Sequence, residues 1–154
     1  MQYKTLMAVE NGTLVIFPTT LIGELEKQKQ LHLREMESGG IVIGKRRNAN
    51  IEAVAITTPQ IKDKRSRCRF ERKEFGHDKI LLQYWSQSHG EDNYLGEWHT
   101  HPEDFPRPSG TDLSTWKEMS NEHGIPLIVI IIGRVKNYYA LTSKSDIYQL
   151  IEIT

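Results

Sequence analysis

A chain of 154 residues fits one hydrophobic core and leaves no room for a second catalytic module beside it. Its 20 basic and 20 acidic side chains cancel to a formal net charge of zero, which excludes a global field favouring nucleic acid or anionic lipid; either contact would need a local patch. The single cysteine, Cys68, excludes an internal disulfide, a zinc ribbon and a redox dithiol.

The first residues, Met-Gln-Tyr-Lys-Thr-Leu-Met, lack the long apolar stretch of a signal peptide, and the longest apolar run, Leu127 to Ile132, is too short to cross a bilayer. The expected setting is therefore soluble, reducing and cytoplasmic. Residues 4–8 and 13–17 read as short strands around Asn11-Gly12, a hairpin signal because both residues tolerate positive φ. Thr19 or Thr20 can cap a helix running to about Met36, with Leu21, Ile22, Leu25, Leu33 and Met36 as an interrupted apolar stripe. Gly39-Gly40 is expected to end that helix. Ile41-Val42-Ile43 then reads as a buried strand, paired across the turn at Asn48-Ala49-Asn50 with Ile51 to Thr57.

Residues 59–77 differ in character. Lys62, Lys64, Arg65, Arg67, Arg69, Arg72 and Lys73 crowd this segment, with Cys68, Phe70 and Phe75 interleaved, and it reads as an exposed loop or flap. A second helix fits 77–89, where Ile80, Leu81, Tyr84, Trp85 and Ser88 follow the helical period. Tyr94 to Thr100 is a strand. A proline-rich loop follows, and Ser109 caps a third helix with Leu113, Trp116 and Met119 inward, ended by Gly124. Three more strands are expected at 126–132, 138–142 and 147–153. The order implies a single mixed sheet with helices packed against it, an α/β fold of mixed α+β type.

Chemistry concentrates in the stretch from His99 to Asp112. In a strand, residues i and i+2 share a face, so His99 and His101 can aim both imidazoles at one point. Asp112, in the first turn of the following helix, can reach back to it. Two imidazoles and one carboxylate make a three-ligand zinc set with a fourth position open, the mark of a catalytic rather than a structural zinc site. The reading is a metal-dependent hydrolase. Ser109 can cap its helix and still offer its hydroxyl to a developing oxyanion. A general base is also required. Spacing alone leaves Glu35, Glu37, Glu97, Glu103 and Asp104 open. Glu97 shares strand parity with His99, and Glu37 precedes the glycine pair at a sheet edge.

These residues together resemble the JAMM/MPN metalloprotease family. Its signature is a glutamate ahead of a small-residue turn and strand, then His-x-His-Pro, six residues, Ser, two residues and Asp. Here Glu37-Ser38-Gly39-Gly40 leads into Ile41-Val42-Ile43-Gly44, and His99-Thr100-His101-Pro102 is followed at matching spacing by Ser109 and Asp112. The resemblance implies a cytidine-deaminase-like, three-layer arrangement with a central mixed sheet flanked by helices, residues 1–154 forming one such domain. It implies that His99, His101 and Asp112 hold one zinc ion, that Glu37 is general base and acid, and that Ser109 stabilises the oxyanion. Active members of the family cut peptide or isopeptide bonds, often after the terminal glycine of a ubiquitin-like protein. Inactive members have lost ligands and act as scaffolds.

The helix from Asp112 runs through Gly124 straight into Pro126, leaving no space for the second insertion of the eukaryotic deubiquitinating members. The compact form resembles the bacterial branch, and within it the short deconjugases encoded beside cyclic-nucleotide synthases in CBASS antiphage operons. The partner implied is a protein substrate with an extended C-terminal tail, either a ubiquitin-like protein or a conjugated cyclic-nucleotide synthase; neither nucleic acid nor membrane is expected. Two other readings share the motif: a processing peptidase for ubiquitin-like sulfur carriers, and a non-catalytic binding module. The basic segment reads as a solvated face or as a flap that adds a strand to the substrate's tail. His32, His77, His89 and His123 show no ligand spacing, and Trp85, Trp98 and Trp116 are expected to pack in the core.

Overall fold

In the computed structural model, residues 2–144 and 146–154 are described. Val, Ile and Leu dominate the strands, and the longest apolar run becomes a strand buried on both faces, as a central strand with a parallel neighbour requires. The chain order is β1 (Tyr3–Ala8), β2 (Leu14–Pro18), α1 (Thr19–Glu26), β3 (Gly39–Arg47), β4 (Asn50–Ile56), β5 (Lys64–Ser66), β6 (Arg69–Glu71), α2 (His77–Gln87), β7 (Asn93–Thr100), α3 (Gly110–His123), β8 (Ile128–Ile132), β9 (Asn137–Ser143) and β10 (Asp146–Glu152).

The sheet is mixed, as expected, with parallel pairs β2–β4 and β7–β8 and antiparallel pairs elsewhere. It does not stay an open middle layer. The strands run in the order β1-β10-β9-β8-β7-β3-β4-β2 and β2 returns to β1, closing a barrel. The three-layer expectation is corrected accordingly. One apolar cluster fills the interior, with Leu6, Phe17, Val42, Leu95, Trp98, Ile130 and Leu141 from the strands and Leu21, Ile22 and Leu25 from α1. Alternation along the strands gives an outer face, which α3 covers through Trp116 on Val129 and Ile131. On the same side α2 lays Ile80, Leu81 and Tyr84 on Ile41 and Ile43.

Two local expectations fail for physical reasons. The first helix stops at Glu26 rather than near Met36. Beyond it Leu33 is 74 % exposed and Met36 47 %, whereas Gln30, a polar residue, is only 1 % exposed; polar anchoring overrides the apolar stripe. The Gly39-Gly40 pair opens β3 instead of ending a helix. A Cβ on Gly40 would lie 2.1 Å from the Thr57 carbonyl oxygen, where two backbones meet too closely for any side chain, and one on Gly39 would lie 2.5 Å from the Phe70 ring, which fills that space. Trp98 and Trp116 are buried, but Trp85 and Leu113 face solvent. The basic segment is a small hairpin, β5–β6, with Arg67 and Cys68 at its tip.

Candidate metal centre

Strand β7 and helix α3 bring the motif together. Beyond a register shift, β7 turns Trp98 into the barrel. Alternation then sends His99 and His101 to the outer face, against the first turn of α3. Their Nε2 atoms lie 3.1 Å apart. Asp112 meets both, with Oδ1 3.2 Å from His99 Nε2 and Oδ2 3.2 Å from His101 Nε2. A tetrahedral ion with donors at about 2.0–2.1 Å spaces those donors by about 3.3 Å. The two histidine nitrogens match that spacing, and Asp112 turns one carboxylate oxygen toward each of them. With one donor atom from each residue within 4.8 Å of the others, His99, His101 and Asp112 are a set able to hold a metal ion.

Two of these side chains, Asp112 and His101, are held from behind. Ser109 and Asp112 form a capping box. The Asp112 amide donates to Ser109 Oγ at 3.0 Å, and the Ser109 amide donates to Asp112 Oδ2 at 2.8 Å. The helix cap therefore aims the third donor group at the cluster. His101 Nδ1 is 2.7 Å from Glu103 Oε1. With a metal ion in place of the Nε2 proton, the proton remaining on Nδ1 would go to Glu103 and fix the ring with Nε2 toward the ion. The loop beyond is anchored where the Arg134 amide donates to the Glu103 carbonyl at 2.7 Å.

Glu37 enters from the neighbouring strand. The β3–β7 ladder pairs Gly39 with His99. Continued outward, that register sets Ser38 across from Thr100 and Glu37 across from His101. The pairing of Ser38 is explicit: its amide donates to Thr100 Oγ1 at 3.0 Å, and the Thr100 amide donates to the Ser38 carbonyl at 2.9 Å. The hairpin holds the other side. The Glu37 amide donates to the Ser66 carbonyl at 2.8 Å. Arg65 donates from Nε to the Glu37 carbonyl at 2.8 Å and from Nη2 to Ser38 Oγ at 2.9 Å.

The electrostatics follow from burial and neighbours. Glu37 is only 4 % exposed. Burial, offset in part by His101 and reinforced by the negative charges of Asp112 and Glu103, pushes its carboxyl up to about 7. Burial alone would also raise Asp112, but hydrogen bonds from His101 and His99 outweigh it and hold this carboxyl well below its usual range. For His101 burial works downward, yet its bonds to Asp112 and Glu103 carry it upward. One carboxylate is kept ionised beside two imidazoles, while a second, close by, exchanges its proton near neutrality. Such a split separates a ligand from a proton carrier.

Of the other acidic candidates, Glu97 is drawn away from the centre. Arg72 binds it twice, at 2.6 and 3.0 Å, and the Tyr94 hydroxyl donates to it. Glu35 faces His32 and Asp104 faces Arg134. Sequence reasoning missed Gln30, Thr100 and Arg65 as supports of the centre. Only Thr100, lying between two motif histidines, carried a signal. His77, which shows no ligand spacing in the sequence, is buried between Thr57 Oγ1 at 2.6 Å and Asp63 Oδ2 at 2.7 Å, and braces the base of the hairpin.

Known proteins resemble this chain in sequence and in fold. The family model of prokaryotic homologs of the JAB domain matches residues 24–145. A protein of Pseudomonas aeruginosa named CD-NTase/cGAS isopeptidase is 36 % identical over 148 residues, covering 94 % of this chain and 94 % of its own. Proteins of the same name from Escherichia coli and Vibrio cholerae are 38 % and 37 % identical, covering 88 % and 81 % of this chain and 86 % and 80 % of their own. In fold, the solution structure of a Desulfitobacterium hafniense protein superposes with a TM-score of 0.63 at 18 % identity, covering 89 % of this chain and 88 % of that one.

Proposed function

The chain belongs to the prokaryotic JAB-domain family, and from that premise we propose that it is a zinc-dependent isopeptidase, residues 1–154 acting as one JAMM/MPN domain that frees a CD-NTase from the proteins to which it is conjugated. The observation that carries this reading is the cluster of His99, His101 and Asp112, with donor atoms converging within 4.8 Å of one another, beside a buried glutamate whose carboxyl lies near 7.

A zinc ion held by His99, His101 and Asp112 would polarise the scissile carbonyl and bring the deprotonation of water into the neutral range. Glu37 takes the proton from the attacking water and delivers it to the departing amine nitrogen; a carboxyl near 7 suits both halves of that transfer. Ser109 Oγ accepts from the Asp112 amide, so its own hydrogen stays free to meet the carbonyl oxygen as charge builds there. Asp112, held ionised by its two histidines, stays a ligand and takes no part in proton transfer. The β5–β6 hairpin, fastened beside Glu37, offers a basic strand against which an extended substrate tail can pair through main-chain hydrogen bonds.

The relatives' name, CD-NTase/cGAS isopeptidase, points to a CD-NTase held in isopeptide linkage as the substrate class, and the family resemblance puts that linkage at the synthase's C-terminus. The test is to incubate the purified protein with such a conjugate, with and without a chelator. Release of free CD-NTase, abolished by chelation and restored by zinc, is the expected result. An intact conjugate in the presence of one equivalent of zinc would overturn the assignment.

A further inference from the structure

Between Glu26 and Gly39 the chain forms no regular element, yet one of its side chains is among the most buried polar groups of the protein. Gln30 is 1 % exposed, and every hydrogen-bonding group of its amide is used toward the centre. Its Nε2 donates to the Arg67 carbonyl at the hairpin tip at 2.8 Å and to the Glu35 carbonyl at 3.1 Å. Its Oε1 accepts from the Thr100 hydroxyl at 2.8 Å. The direction of that last bond is forced. Thr100 Oγ1 already accepts from the Ser38 amide, and an amide oxygen can only accept, so the hydroxyl hydrogen goes to Gln30.

Gln30 therefore touches three segments that converge on the site: the strand between the two histidines through Thr100, the segment leading into Glu37 through Glu35, and the hairpin through Arg67. None of its hydrogen bonds goes to the three groups that would bind zinc. We propose that Gln30 is a positioning residue that sets the register of Glu37 against the His99–His101 strand, through Thr100 and Ser38, without contributing to metal affinity. The inference rests on the reading of Glu37 as general base. A buried amide with both donors and its acceptor engaged fixes one arrangement, because every alternative leaves a buried polar group unpaired. Proton transfer is steep in distance, and a displacement of about 1 Å can cost on the order of a hundredfold in rate.

The test compares Gln30→Met, which keeps length and removes the bonds, with Gln30→Asn, which keeps the amide one methylene short. Both are measured against wild type and Glu37→Gln. Expected for Gln30→Met is a kcat lower by about tenfold to a hundredfold, with KM within about twofold of wild type and zinc stoichiometry and affinity unchanged. Amide exchange at Ser38 should be faster, reporting the loosened Ser38–Thr100 pair. Gln30→Asn should fall between the two and serves alone if the methionine variant does not fold. A Gln30 variant with wild-type kcat per bound zinc, beside an inactive Glu37→Gln, overturns the positioning role. Weakened zinc binding would equally overturn it. An active Glu37→Gln would instead overturn the assignment of the base itself.

Discussion

Replacing Glu37 by glutamine should make the metal-free protein more stable while destroying its activity. The side chain is 4 % exposed and its carboxyl is raised from 4.5 to about 7. Burial is the largest cause, with the charges of Asp112 and Glu103 adding to it. A carboxyl whose folded value lies above its unfolded one favours folding only while protonated. That contribution is complete below about 4.5 and is lost as pH rises through about 7. At about 1.4 kcal/mol per pH unit, ionised Glu37 costs the fold about 2–3 kcal/mol more at pH 8 than at pH 5. Glutamine has nearly the same shape and never ionises. Stripped of metal, Glu37→Gln should melt about 5–10 °C above wild type at pH 8 and far closer to it at pH 5. Thermal unfolding of both proteins in chelator at the two pH values reads this directly, and the double difference cancels groups common to both. An equal gap at pH 5 and pH 8 would refute the claim that the site holds a carboxylate against its solvation.

Other substitutions separate the supporting roles. Glu103→Gln, which weakens the bond behind His101 Nδ1, should lower zinc affinity by about tenfold to a hundredfold, measured by competition with a chromogenic chelator. Ser109→Gly keeps a tolerable helix cap, at a cost of only a few tenths of a kcal/mol, and removes the hydroxyl. It should lower kcat by about a hundredfold with little change in melting temperature, whereas an unchanged kcat would leave Ser109 a cap alone. Gly40→Ala puts a methyl 2.1 Å from the Thr57 carbonyl oxygen. It should destabilise by at least about 2 kcal/mol in denaturant titration and loosen the strand that carries Glu37.

The convergence of His99, His101 and Asp112 is legible in the sequence because its signals are local. Alternation along one strand puts His99 and His101 on one face, and the Ser109-to-Asp112 capping box aims the third group, so spacing along the chain translates directly into geometry. Glu37 was not legible in that way. It meets the centre only through the pairing of β3 with β7, a contact between distant segments, and the family resemblance singled it out among five acidic residues. The parity argument for Glu97 placed it correctly on the outer face, but two residues nearer Arg72, which takes it.

Barrel closure was equally hidden. It depends on β2 pairing with β4 and β1 with β10, and an alternating strand is alike in an open or a closed sheet. The over-long first helix has a plainer cause. Leu31, Leu33 and Met36 supply apolar residues but stay exposed, while the anchor of that segment is Gln30, whose burial is set by tertiary hydrogen bonds that no periodicity records. The hairpin leaves no alternating signal in the sequence because charged residues line both of its faces.

Titrating zinc into metal-free protein while following release from a CD-NTase conjugate tests the account most directly. Activity should be absent at the start, rise linearly and break at one equivalent, and the Asp112→Ala protein should stay silent throughout. Cleavage by the metal-free chain, or a wild-type response from Asp112→Ala, would contradict it.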